Sequence, residues 1–150
     1  MKTPEVEEIR REARRETNDL SSRLRVWGPA AAWAVVLFLL SAWPDPPIPS
    51  WFYGSDKIAH AGLYSVFGVA LAYGRVGAPA PPPHWTMIFV GALYGGTDEW
   101  HQGFVRGRTP DWGDWLADLT GVLLGYTLVL VLVGWLATSR ATDHGVDVAD

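Results

Sequence analysis

Side chains able to move protons, hold an anion or ligate a cation fall into three short stretches of the chain. Asp56, Lys57, His60 and Tyr64 make the first, Asp98, Glu99, His101 and Gln102 the second, and Arg106, Arg108, Asp111, Asp114 and Asp118 the third. A histidine oriented by a carboxylate is an acid–base pairing, so His60 or His101 with Asp56 or Asp98 is a candidate catalytic set, with Glu99 beside them. Guanidinium groups form paired bonds with phosphate or carboxylate, so Arg106 and Arg108 are candidate anion ligands. Lys57, Tyr64, Gln102, Asp114 and Asp118 complete the expected binding group.

Spacing says which of these share a face. Asp56, His60 and Tyr64 are four apart and line one side of a helix over two turns. Asp98, His101 and Gln102 stand at i, i+3 and i+4 on a second helix. Asp111, Asp114 and Asp118 share a face of a third helix that begins early enough, with Thr109 or Asp111 as its cap. A carboxylate at a helix N-terminus is favoured by the backbone dipole, which alone accounts for part of the presence of Asp56 and Asp114.

Other chemistries are excluded or left without a signature. There is no cysteine, hence no disulfide, thiol catalysis or thiolate-held metal. The net charge of −4 is wrong for a nucleic-acid partner, which needs a basic stripe. No H-E-x-x-H spacing occurs. Asp98, Glu99, His101 and Asp114 offer ligands that suit Zn, Mn or Mg, but the expectation is no metal and no cofactor.

The elements that must position these groups are apolar. Apolar residues are 49% of the 150 and charged residues 19%, below the roughly 25% of soluble domains. Thirteen of the 28 charges lie in positions 1–25, which leaves uncharged runs at 26–44, 58–74, 76–97 and 119–139. A bilayer core of about 30 Å takes about 20 apolar residues as helix. The prediction is an all-α, four-helix transmembrane bundle carrying a charged N-terminal cytoplasmic helix. The first span is expected to run from Val26 to Trp43 and to stay as an anchor rather than be cleaved. Pro79 and Pro81–Pro83 break the third run, so its helix should begin near His84 or Trp85. A three-span version with that segment re-entrant is the alternative. The expected division is 1–25 as a solvated extension with pairs such as Glu7–Arg11, 26–139 as the membrane domain, and 140–150 as a short acidic, disordered tail.

Lys and Arg near span ends stay cytoplasmic. Nine lie on the side of the tails and second connection (Lys2, Arg10, Arg11, Arg14, Arg15, Arg23, Arg25, Arg75, Arg140), against Lys57, Arg106 and Arg108 on the other. Both termini are therefore expected to be cytoplasmic, in a bacterial inner membrane. Trp43, Trp51, Tyr53, Trp100, Trp112 and Trp115 would ring the outer face, and Trp27, Tyr73, Trp85 and Trp135 the inner one. All three polar stretches then fall on the outward side. Gly91/Gly95 and Gly121/Gly125 allow close helix approach, and Gly121 follows Asp118 by three, so the polar faces should converge. Ionisable groups in a span are by default a functional expectation. The plainer reading is a hydrogen-bonded ring tying helix ends, with Arg106 or Arg108 neutralising carboxylates.

At these residues the chain resembles the VanZ-like family of small bacterial membrane proteins. The family's Asp-Lys, His and Tyr correspond to Asp56, Lys57, His60 and Tyr64, and its Asp-Glu-x-x-Gln with a frequent His to Asp98, Glu99, His101 and Gln102. Its loop Gly-Arg, then Asp and Gly, correspond to Gly107, Arg108, Asp114 and Gly121. The match runs from about Asp56 to Gly125. The chain departs from it at Arg106, where the family usually has Pro, and at Asp118, where it usually has Asn; the two extra charges are expected to pair. The resemblance implies a cell-envelope context and, through the founding member, resistance to the glycopeptide teicoplanin; it implies no reaction. The reading adopted is non-enzymatic: an outward polar cluster that binds a membrane lipid headgroup or a lipid-linked cell-wall precursor. The alternative is a small membrane hydrolase or transferase acting on such a headgroup. A channel is weaker, because the inner half shows no polar path.

Overall fold

The computed structural model describes residues 4–44 and 54–145. Four helices, and no strand among the described residues, follow one another as α1 (Pro4–Ser41), α2 (Ser55–Gly77), α3 (His84–Gln102) and α4 (Trp112–Gly145). Local chemistry sets their ends. Pro4 opens α1, where a missing N–H is harmless. α1 stops at Ser41, two residues short of the expected Trp43, in a last turn closed by Ala42 N–H to the Phe38 carbonyl, with Pro44 just beyond. Gly54, at φ 88°, turns the chain into α2. Pro83 precedes α3, which begins at His84 as its prolines require. Asp111 caps α4: its Oδ1 accepts the Gly113 N–H at 2.8 Å.

The charged extension and the first span are one continuous helix, which carries Pro29 internally. Exposed i,i+4 pairs Glu7–Arg11 and Asp19–Arg23 line its outer part. Where a disordered tail was expected after Arg140, α4 runs on to Gly145, with no proline to interrupt it. Trp51, Tyr53, Lys2 and residues 146–150 lie outside the described part.

α2 is the centre of the bundle, packing against α1, α3 and most extensively α4. α2 and α4 run parallel. Gly121 lies on Ala61 and Gly125 on Ser65, each so close that a Cβ would strike the opposing carbonyl, and Gly68 reciprocates against Val122. Gly91 and Gly95 of α3 seat the Val122 and Asp118 side chains of α4. Trp33 N–H to the Leu63 carbonyl (2.9 Å) and the Tyr94 hydroxyl to the Ala34 carbonyl tie α1 to α2 and α3. The core holds Leu37, Tyr64, Phe67, Leu71, Met87, Val122 and Tyr126.

The outside is apolar. Phe38, Leu39, Phe89, Leu93, Leu124, Leu128, Val131 and Trp135 are all exposed, whereas His60, Asp98, Glu99, Gln102, Asp114 and Asp118 are buried. This inverts the pattern of a soluble bundle and fits a lipid surround. By length and composition, Glu7–Ser41 and Trp112–Arg140 can each cross a membrane. α2 and α3 carry charged or ionisable groups at their ends.

Candidate functional site

The starts of α2 and α4 and the ends of α1 and α3 meet at one end of the bundle. Because α2 and α4 are parallel and in register, the polar opening of one lies beside that of the other. At the rim, Lys57 Nζ reaches Asp111 Oδ2 (2.7 Å), Asp114 Oδ1 (2.8 Å) and Asp56 Oδ2 (3.4 Å). The bonds to Asp111 and Asp114 hold the ammonium above its usual titration range. Lys57 in turn holds the Asp111 carboxyl below the usual carboxylate value. Lys57 is therefore a clasp between helix starts, and it neutralises the rim carboxylates in place of the arginines.

One turn deeper, His60 Nδ1 and Asp118 Oδ1 lie 2.9 Å apart, where the ring N–H donates to the carboxylate. Asp118 is fully buried and His60 nearly so. The carboxylate orienting His60 is thus Asp118, not Asp56 or Asp98. Asp56 points outward and is half exposed, since the α4-facing side of α2 is defined by Lys57, His60, Ala61 and Ser65. Asp118 does not pair with Arg106, which is exposed.

Glu99 comes to the same place from α3. Its Oε2 accepts the Asp111 backbone N–H at 2.9 Å. Its Oε1 and Asp118 Oδ2 are buried without a hydrogen-bond partner among the described residues. His60, Glu99 and Asp118 each offer a ligand atom within 4.8 Å of the others. Of the metal-compatible set read from the sequence (Asp98, Glu99, His101, Asp114), only Glu99 belongs to this group.

Asp98 and Gln102 face the other way, toward α1. With His60, Tyr64, Leu37, Ser41 and Arg108 they line a cavity of about 280 Å³. Gln102 Nε2 donates to Asp98 Oδ2 at 3.4 Å, and the Ser41 and Tyr64 hydroxyls on the same lining are buried without a hydrogen-bond partner among the described residues. Arg108 is brought in by a tight turn. Its N–H closes on the Val105 carbonyl (3.1 Å), and Gly107 takes φ 82°, the conformation a type II turn demands at its third position. The turn sends Arg106 out at its corner and folds Arg108 back, with Nε buried and unpartnered among the described residues. Pro is favoured at that corner, so arginine there leaves the turn intact.

His101 is not gathered into the cavity. Its ring stacks on Phe38 of α1, centroids 4.8 Å apart. Ser41 was missed from the sequence, because a serine at the end of an apolar helix carries no acid–base signature. On the opposite side of α3, a groove of about 690 Å³ runs between α3 and α4, walled by Phe89, Leu93, Trp100, Trp112 and Trp115, with Glu99 on its lining. Trp115 N–H bonds the Ala92 carbonyl at 3.0 Å and holds that wall.

No curated protein and no solved structure matches the chain. The sequence model of the VanZ/LLP1 family matches residues 11–133, a span that holds α2 and α3 whole, most of α1 and α4, and every residue of the buried polar cluster. On that match, the chain belongs to the VanZ/LLP1 family.

Proposed function

We propose that this VanZ-family membrane protein binds the anionic headgroup of a membrane lipid, or of a lipid-linked cell-envelope precursor, in the cavity beneath Arg108. The observation that carries the reading is Arg108 itself: a half-buried guanidinium whose Nε has no partner among the described residues, folded into a polar cavity by a glycine-dependent turn. A buried donor left unpaired is costly, and a phosphate or carboxylate would satisfy it. The Tyr64 hydroxyl and the Gln102 amide add donors at the same wall. The exposed apolar belt would leave the lipid's chains in the bilayer. In this reading all four helices span, both termini are cytoplasmic, the cavity opens on the outer side of a bacterial inner membrane, and its occupation lowers teicoplanin-type susceptibility.

The test is binding of short-chain phosphatidylglycerol and phosphatidylcholine to the full-length protein in detergent, read by tryptophan fluorescence. Phosphatidylglycerol should bind more tightly. Arg108→Gln should lose about tenfold or more, given roughly 1.5–3 kcal/mol for a hydrogen bond to a charged group, and Arg106→Gln should not. Indifference to headgroup charge, or an unaffected Arg108→Gln, sinks the proposal. In cells, normal abundance of Arg108→Gln with lost glycopeptide tolerance supports the envelope role.

A second reading is favoured by the His60–Asp118 pair, whose geometry suits a general base acting on the same headgroup. Lipid extracts of deletion and parent strains separate the two: an unchanged profile counts against catalysis.

A further inference from the structure

We infer that a first-row divalent cation binds between His60, Glu99 and Asp118. This goes beyond headgroup binding and does not depend on it.

Asp98, Glu99 and Asp118 are all buried at one end of the bundle. The nearest ammonium, Lys57, is already shared among Asp56, Asp111 and Asp114. Arg108 lies on the cavity side with Asp98. Among the described residues, Glu99 and Asp118 therefore have His60 alone for a counter-charge, and one imidazole cannot neutralise two carboxylates.

Glu99 Oε1 and Asp118 Oδ2 are fully buried and accept nothing from the described residues. An ionised oxygen left bare in a low-dielectric interior is costly unless something positive meets it. Glu99 has its other oxygen, Oε2, fixed by the Asp111 N–H, and Asp118 Oδ1 lies 2.9 Å from His60 Nδ1, which would give up its proton to ligate. The Asp111 bond is of the outer kind that orients a metal-ligating carboxylate, and Glu99 Oε1 and Asp118 Oδ2 are left for the cation.

The donor set then selects the cation. One imidazole and two carboxylates, within 4.8 Å of one another, suit Zn²⁺ or Mn²⁺ better than a soft metal. Three protein ligands leave a coordination position open. His60 also lines the cavity and Glu99 the groove between α3 and α4, so the cation would sit in the wall the two share.

The experiment uses the full-length chain in detergent, stripped with EDTA and free of added lipid, so its outcome is independent of the headgroup reading. Zn²⁺ and Mn²⁺ are titrated by calorimetry, and Co²⁺ serves as an optical probe. The expected result is about one equivalent of Zn²⁺ or Mn²⁺ per chain and a visible Co²⁺ band. Glu99→Gln and Asp118→Asn should each weaken binding at least about tenfold, and Asp56→Asn, outside the cluster, should not. Equal affinity in all variants overturns the inference. Should either variant fail to fold, the unaltered protein still decides: no saturable uptake of either metal and no Co²⁺ band would mean that protons, not a cation, satisfy the two oxygens.

Discussion

Gly125→Ala should destabilise the protein although alanine is the better helix former. At this position α4 lies directly on α2. A Cβ would fall 2.7 Å from the Ser65 carbonyl carbon and 3.0 Å from the Val69 nitrogen, and closer still to the Ser65 oxygen. Ordinary contact begins at 3.4 Å, so the helices must part by roughly 0.7 Å or more at that level. Both opposing groups are backbone, and no side chain can rotate away. Overpacking of this kind costs about 1–3 kcal/mol, against a gain of about 1 kcal/mol for replacing glycine in a helix. Gly134 sits on the same helix with nothing within 4 Å. Gly134→Ala should therefore collect the gain alone. The expected gap between the two variants is about 1–3 kcal/mol, and each kcal/mol moves the melting temperature by about 2–4 °C at this chain length. Thermal unfolding of both variants in one detergent, followed by circular dichroism, measures it. Gly125→Ala melting at or above Gly134→Ala would refute the backbone-on-backbone seam and, with it, the register that places Lys57 and His60 beside α4.

Further outcomes follow from the rim, the turn and the inter-helix ties. The folded-state value of Asp111 is depressed by Lys57, so this contact stabilises the protein above the ordinary carboxylate value of 3.8 and the benefit fades as pH falls through the lower folded value. Melting curves between pH 3 and 7 should show that acid-side loss in the parent and less of it in Asp111→Asn. Gly107→Ala forces φ 82° on a residue with a side chain; it should cost about 1–2 kcal/mol and weaken phosphatidylglycerol binding by misplacing Arg108, whereas Arg106→Pro, at the turn's corner, should be neutral or gain up to about 1 kcal/mol. Tyr94→Phe removes the hydroxyl tie from α3 to the Ala34 carbonyl, and a melting loss equivalent to about 0.5–1.5 kcal/mol is expected.

Much of the fold was legible because the signals are local. Proline placed the start of α3, charge placed the apolar runs, and Asp111 was one of two residues named as the α4 cap. The convergence of the three polar stretches was also legible, from Gly121 standing three residues after Asp118. The pairing inside the cluster was not. His60 could be matched to a carboxylate only through the register of α2 on α4, which joins positions 58 residues apart. Helical spacing put Asp56 on the His60 face, yet in the first turn of α2 it turns outward. Arg106 and Arg108 looked equivalent until the turn at Gly107 sent them to opposite sides. The charge at Asp118 found its complement in a histidine rather than in Arg106, because burial separates the two.

The parallel seam of α2 and α4 also bears on how the protein is made. The partners that α4 and its entry supply to α2 are synthesised last. A nascent chain that ends before residue 111 carries a complete α2 but offers Lys57 neither Asp111 nor Asp114, and His60 no Asp118. Those side chains wait for these partners until the final helix arrives, and the face by which α4 then meets α2 is glycine against backbone.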